Sequence, residues 1–135
     1  MKDLPALKSM TYLWIPDTQV TDEGLKELHA IKGLDNVNLS GTKVTDAGMK
    51  ELGAIKKLKL IYIARLPITD AGLKELVDLP QLHLLHVYES NITDEGLKEL
   101  AKIKTLKTLN VSKTKVTDAG VAEFKKALPN CSISK

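Results

Sequence analysis

Val44-Thr45-Asp46-Ala47-Gly48-Met49-Lys50-Glu51-Leu52 is the stretch on which the fold turns. Its core, Thr45 to Gly48, returns as Thr21-Asp22-Glu23-Gly24, Thr69-Asp70-Ala71-Gly72, Thr93-Asp94-Glu95-Gly96 and Thr117-Asp118-Ala119-Gly120, each copy 24 residues after the last and without insertion. A fixed period of this size marks a solenoid, in which each unit buries its apolar face only against its neighbours.

Working outward, the apolar positions repeat with the same period. Ile55, Leu58, Ile61 and Ile63 recur as Leu79, Leu82, Leu85 and Val87, and as Ile103, Leu106, Leu109 and Val111. Earlier copies are Ile31, Leu34, Val37 and Leu39 and, less regularly, Leu7, Met10, Leu13 and Ile15. The last two positions of each set alternate in and out, which predicts a short half-buried strand. The next phrase, as in Leu25, Leu28 and Ile31, has helical spacing. Each unit reads strand, turn, helix, and the returning helix makes successive strands parallel. The units are a partial one at 1–19, then 20–43, 44–67, 68–91 and 92–115, and a terminal one at 116–135, all in a single domain.

The pattern Leu-x-x-Leu-x-Leu-x-x-Thr-x-Val-Thr-Asp-x-Gly-Leu-Lys-x-Leu, carried in five copies over nearly the whole chain, resembles the leucine-rich repeat superfamily. Within it, the units are similar to the helical ribonuclease-inhibitor-like and cysteine-containing (F-box-associated) classes, although Cys131 is the only cysteine here. The resemblance implies an α/β right-handed solenoid, a horseshoe segment with a parallel sheet on its concave side and helices on its convex side.

The repeated phrase has a structural job. Thr21, Asp22, Thr45, Asp46, Thr69, Asp70, Thr93, Asp94, Thr117 and Asp118 stand where helix caps and dipole-matched acids belong. Asp22, Asp46, Asp70 and Asp94 each precede a lysine by four residues, a stabilising pairing. Thr18, Thr42, Ser90 and Thr114 occupy one turn position, where a hydroxyl could tie neighbouring turns together. Leu66 breaks that row and Pro67 follows it, so Leu66 is expected to tuck inward beside Arg65.

Both ends depart from the rule. Met1-Lys2-Asp3-Leu4 falls in mid-repeat with no polar cap before Leu4, which suggests a piece of a longer array or an end that packs on something. From Phe124 to Ile133 the apolar pattern slips by a residue. Cys131 there is expected to be a small buried group.

Composition bounds the rest. Apolar residues make up 43%, charged residues 27%, and the formal net charge is +3, which is too small to argue for nucleic acid. One cysteine allows no intrachain disulfide. No apolar run is long enough for a membrane span and no signal core opens the chain; the chain is expected to be soluble, with its compartment open and a lean to the cytoplasm.

The residues between the buried strand positions face the hollow: Tyr12, Trp14 and Pro16; Asn36, Asn38 and Ser40; Leu60, Tyr62 and Ala64; Leu84, His86 and Tyr88; Thr108, Asn110 and Ser112. Of the Phe, Trp and Tyr residues, all but Phe124 fall in this set. Strands favour aromatics anyway, yet rings and leucines on an open face also mark an interaction site. Tyr12, Trp14, Leu60, Tyr62, Arg65, Leu84, His86, Tyr88 and Glu89 are the candidate contact residues, with Tyr62 next to His86. The bland alternative is that Tyr12, Leu60 and Leu84 only pack sideways. No Gly-rich phosphate loop, zinc spacing or Ser-His-Asp order occurs, and His83 should point away from His86. No enzyme, metal or cofactor is expected, and nucleic acid and carbohydrate are not the expected ligands. The expected function is a protein-interaction module binding through its concave strand face. The alternative is a purely structural segment, or a solenoid that self-associates through open ends.

Overall fold

The computed structural model describes residues 10–135; Leu4 and Leu7, read above as part of the first unit, lie outside them. The alternation in each unit produces a three-residue strand: β1 (Tyr12–Trp14), β2 (Asn36–Asn38), β3 (Leu60–Tyr62), β4 (Leu84–His86), β5 (Thr108–Asn110) and β6 (Ser132–Ser134). They form one parallel sheet in sequence order. Each register step equals the repeat, from Tyr12 opposite Asn36 to Asn110 opposite Ser134. Backbone bonding continues past the strands, with Leu39 N donating to Tyr62 O and Gly41 N to Ala64 O.

The inward residues build one continuous core. Val37, Ile61, Leu85 and Leu109 supply the strand layer, Leu34, Leu58, Leu82 and Leu106 the layer beneath, and Met49, Leu52, Leu73, Leu76, Leu97 and Leu100 the helical wall. A leucine moved from water into such a layer contributes roughly 2 kcal/mol. Each layer is shared only with the units on either side.

The helices are α1 (Asp46–Gly53), α2 (Asp70–Leu73), α3 (Asp94–Leu100) and α4 (Asp118–Ala127). Extended Thr45, Thr69 and Thr93 precede the first three, and each hydroxyl accepts from the amide two residues on; the Thr117 hydroxyl accepts from Gly120 N. The aspartates do something the sequence does not suggest. Asp22, Asp46, Asp70 and Asp94 do not cap their own helices but cross to the next unit. There one oxygen accepts from the backbone N–H of Thr45, Thr69, Thr93 or Thr117, and the other from its hydroxyl. Of the four lysines expected to pair with them, Lys26 meets Glu23 and Lys98 meets Glu95 instead. The glycine completes the device, since a methyl on Gly48, Gly72, Gly96 or Gly120 would overlap the carboxylate arriving from the unit before. Asp118, the last of the series, is exposed and meets Lys135 at 3.1 Å.

The helix expected in the first unit is a 3-10 segment, Gly24–Ala30. Thr21 does not cap it; the residue before the segment is Glu23, in helical conformation, and its side chain makes no capping bond to the helix amides. The bonds close over three residues, Gly24 N to Thr21 O and Leu25 N to Asp22 O, which is the 3-10 pattern. α2 likewise gives way to a 3-10 turn at Lys74–Leu76. There the Glu75 carbonyl lies so close to Gly53 that a methyl would overlap it.

The turn hydroxyls bond locally. Thr18, Thr42, Ser90 and Thr114 each donate to the carbonyl three residues earlier, so they stiffen their own turn rather than tie neighbours, a local side-chain-to-backbone bond of the kind hydroxyls favour in turns. Leu66 is 3% exposed and joins the core, while Arg65 beside it has φ 57°. The late slip is absorbed before the last strand: Leu128 and Cys131 are buried, and Ser132 still pairs with Thr108. Burial pushes the Cys131 thiol pKa up. Among the described residues no helix is long and apolar enough to cross a membrane.

Candidate interaction face

The parallel register sets side chains of successive strands in columns. One column runs Trp14, Asn38, Tyr62, His86, Asn110, Ser134. The rings in it touch. Tyr62 and His86 have centroids 4.8 Å apart at 70°, and His86 and Tyr88 are 6.3 Å apart at 62°. These tilted, edge-on arrangements suit aromatic quadrupoles.

Trp14 joins the same ladder from two strands away. Its ring lies 4.8 Å from that of Tyr62, which places it across β2. Asn38, expected on the open face, is only 8% exposed there. Its Oδ1 accepts from Ser40 N at 3.0 Å, and Ser40 Oγ accepts from Ala64 N at 3.1 Å. Ser40 and Ala64, also expected to be open, are buried as well. The strands have ended by then, and the chain is turning down into the positive-φ residues Gly41 and Arg65.

The second column runs Tyr12, Asn36, Leu60, Leu84, Thr108, Ser132. Leu60 and Leu84 are half-buried neighbours. Tyr12 stands apart from them, with Asn36 between, and is 63% exposed; Trp14 is 51% exposed. Sideways packing therefore accounts for the two leucines and not for the ring of Tyr12. Burial lowers the His86 pKa below its ordinary value of 6.5, so the ring is neutral at pH 7 and behaves as one more flat, weakly polar surface.

Arg65 and Glu89 sit beyond the strand ends and do not meet each other. Arg65 reaches Asp17, two units back, at 3.1 and 3.3 Å. Gly41 makes this possible, because a methyl there would overlap the Asp17 carboxylate. Asp17 was not among the candidate residues; its place in the same column as Gly41 and Arg65 is the only sequence signal for it. Glu89 takes Lys113 at 3.3 Å. Asp17, Arg65, Glu89 and Lys113 all have φ between 53° and 57°, a conformation that costs a non-glycine residue about 1 kcal/mol. The two ion pairs are exposed to solvent, and salt screens them. They form a rim that is electrically closed upon itself.

His83 is exposed on the loop before β4, away from the His86 ring, and His29 pairs with Glu51 on the convex side at 2.8 Å. Among the described residues no three His, Cys, Asp or Glu side chains converge as metal ligands would. The face offers rings, aliphatic surface and a few polar tips, which are means of holding a ligand.

Comparison with known proteins agrees with this geometry. Residues 102–125 match a family model described as Leucine Rich repeat. An internalin (inlF) from Listeria monocytogenes is 26% identical, with a TM-score of 0.65 over 90% of this chain and 41% of that one; the chain thus spans well under half of that protein. The tropomodulin C-terminal domain from Caenorhabditis elegans has a TM-score of 0.70, covering 96% of this chain and 93% of that one at 13% identity, which speaks to the fold alone. No curated protein matches the chain by sequence. With residues 102–125 matched by the leucine-rich-repeat model and most of the chain similar in structure to the internalin, the chain carries a leucine-rich repeat and folds as an α/β solenoid of parallel strands and outer helices.

Proposed function

We propose that the chain is a non-enzymatic protein-interaction module that holds a partner protein on its strand face. The observation that supports this is the ring ladder Trp14–Tyr62–His86–Tyr88, with Tyr12 beside it and its two most exposed members, Tyr12 and Trp14, at the β1 side. A solenoid gains nothing in core stability from large rings left in water, whereas Trp and Tyr dominate the energy of protein interfaces. Tyr12, Trp14, Tyr62, His86 and Tyr88 anchor the contact, Leu60 and Leu84 fill between them, and Arg65 and Glu89 border it.

The test is an affinity capture from cell extract with the wild type and a Trp14→Ala/Tyr62→Ala/Tyr88→Ala variant, both checked for native circular dichroism. The wild type is expected to retain a partner that the folded variant loses. A folded variant that keeps every partner would sink the proposal.

A further inference from the structure

The solenoid has two edges, and their charges differ. At one edge the helices end and the strands begin, through the loops 31–35, 55–59, 79–83 and 103–107. These loops carry Lys32, Lys56, Lys57, Lys59, Lys104 and Lys107 against a single carboxylate, Asp35. All but Lys59 are exposed, and Asp35 lies 3.9 Å from Lys59. The opposite edge, where strands end and helices begin, holds the aspartates of the inter-unit staples. The formal net charge of +3 conceals this separation.

Two of the lysines have structural work. Lys56 Nζ donates to Gly53 O at 2.9 Å and Lys104 Nζ to Ala101 O at 3.1 Å, at helix ends where a cation is favoured. Lys32, Lys57 and Lys107 have no ion pair or hydrogen-bonding partner for their ammonium groups among the described residues. The edge also borders the strand face directly. Lys59 and Lys107 immediately precede the first residues of β3 and β5, and His83 that of β4. Three residues separate Lys59 from Tyr62, or about 10 Å along a strand.

We propose that this lysine edge docks an acidic polypeptide segment whose carboxylates lie about three residues from a large apolar side chain that reaches the ring ladder. The proposal rests on the strand-face reading above and names the chemistry of its partner. The cations come in separated sets, Lys56 to Lys59 and Lys104 to Lys107, with the lysine-free loop Leu79–His83 between. A polypeptide can place its acids to match such gaps, whereas a nucleic acid presents phosphates without interruption. Bidentate phosphate clamps also need arginine, and the only arginine, Arg65, is held by Asp17 on the other edge.

The test uses the full chain and three labelled probes in fluorescence anisotropy. One is a synthetic Asp/Glu-rich peptide with a tryptophan three residues from its acidic block, one is the same peptide with lysine for every acid, and one is oligothymidylate. The acidic peptide should bind best, and Lys57→Glu/Lys107→Glu should weaken it about tenfold. Both side chains are exposed, so the variant keeps its fold. Equal binding of the lysine peptide, tighter binding of oligothymidylate, no binding of any probe, or indifference to the charge reversal would each overturn the inference. The ring variant separates the two proposals. If it loses the acidic peptide while the charge-reversed variant keeps it, the ring face stands and the lysine edge falls. If it keeps the peptide with undiminished lysine dependence, the edge stands and the ring face is removed from the site.

Discussion

Gly72→Ala is the sharpest test of how the units are joined. In an ordinary helix the exchange stabilises by about 0.5–1 kcal/mol, because glycine loses more backbone entropy on folding. Here the new methyl would overlap Asp46 Oδ1 and approach Met49 Cγ at 3.0 Å. Methionine can move aside; Asp46 cannot without leaving Thr69. It accepts from Thr69 N at 2.8 Å and from the Thr69 hydroxyl. Hydrogen bonds to a charged acceptor contribute about 1.5–3 kcal/mol each, and Asp46 is only partly buried, so the lower end applies and the pair amounts to roughly 3 kcal/mol. The net expectation is a loss of about 2 kcal/mol, or a melting temperature lower by roughly 6–8 °C for a chain of this size. Urea unfolding followed by circular dichroism measures it. The decisive comparison is a double-mutant cycle with Asp46→Ala. Once the carboxylate is gone, Gly72→Ala should become stabilising. The reasoning is refuted if Gly72→Ala raises the unfolding midpoint of the wild type, or costs the same in both backgrounds.

Gly53→Ala should destabilise by about 1–3 kcal/mol, since its methyl meets the Glu75 backbone carbonyl rather than a movable side chain; unlike Gly72→Ala, the cost should persist when Asp46 is removed. Leu66→Thr exchanges a leucine that is 3% exposed for the hydroxyl of the other turns, and a loss of about 1–3 kcal/mol in urea unfolding is expected; a neutral result would mean that the leucine is interchangeable there. The Thr117 hydroxyl and amide hold the Asp94 carboxyl below its ordinary value of 3.8. That contribution is therefore present above the ordinary value and lost as pH falls through the depressed one. Thr117→Val should move the Asp94 titration, followed by NMR, back toward 3.8, and an unchanged curve contradicts the assignment. His86 should titrate below 6.5, so its neutral form is the one the fold favours and stability should fall as pH drops below that value; Tyr88→Ala, which opens the ring to water, should bring the titration upward.

Much of the scaffold was legible because a solenoid makes tertiary contacts repeat with the sequence. Once Val37, Ile61, Leu85 and Leu109 share a phase, their stacking follows, as does the column that brings Tyr62 against His86. Leu66 could be placed inside because a leucine in a row of hydroxyls has no other way to be satisfied. The first-unit helix was not legible, since Thr21-Asp22-Glu23-Gly24 reads like its sister phrases; the 3-10 form depends on backbone bonding at Glu23 that composition does not encode.

The period in the sequence by itself determined the architecture: parallel strands, their register and the core layers. A spacing of 24 residues does that because each unit touches only its neighbours, so local pattern and tertiary pattern coincide. What only the tertiary structure decided is where side chains longer than one unit's reach come to rest. Asp46 turned away from its own helix to Thr69, Arg65 crossed the gap left by Gly41 to Asp17, and Trp14 closed over Asn38 onto Tyr62. Periodicity gives the direction of a side chain from its backbone. Its partner depends on how closely successive coils stack, and that distance is set by the packed core rather than by any single residue.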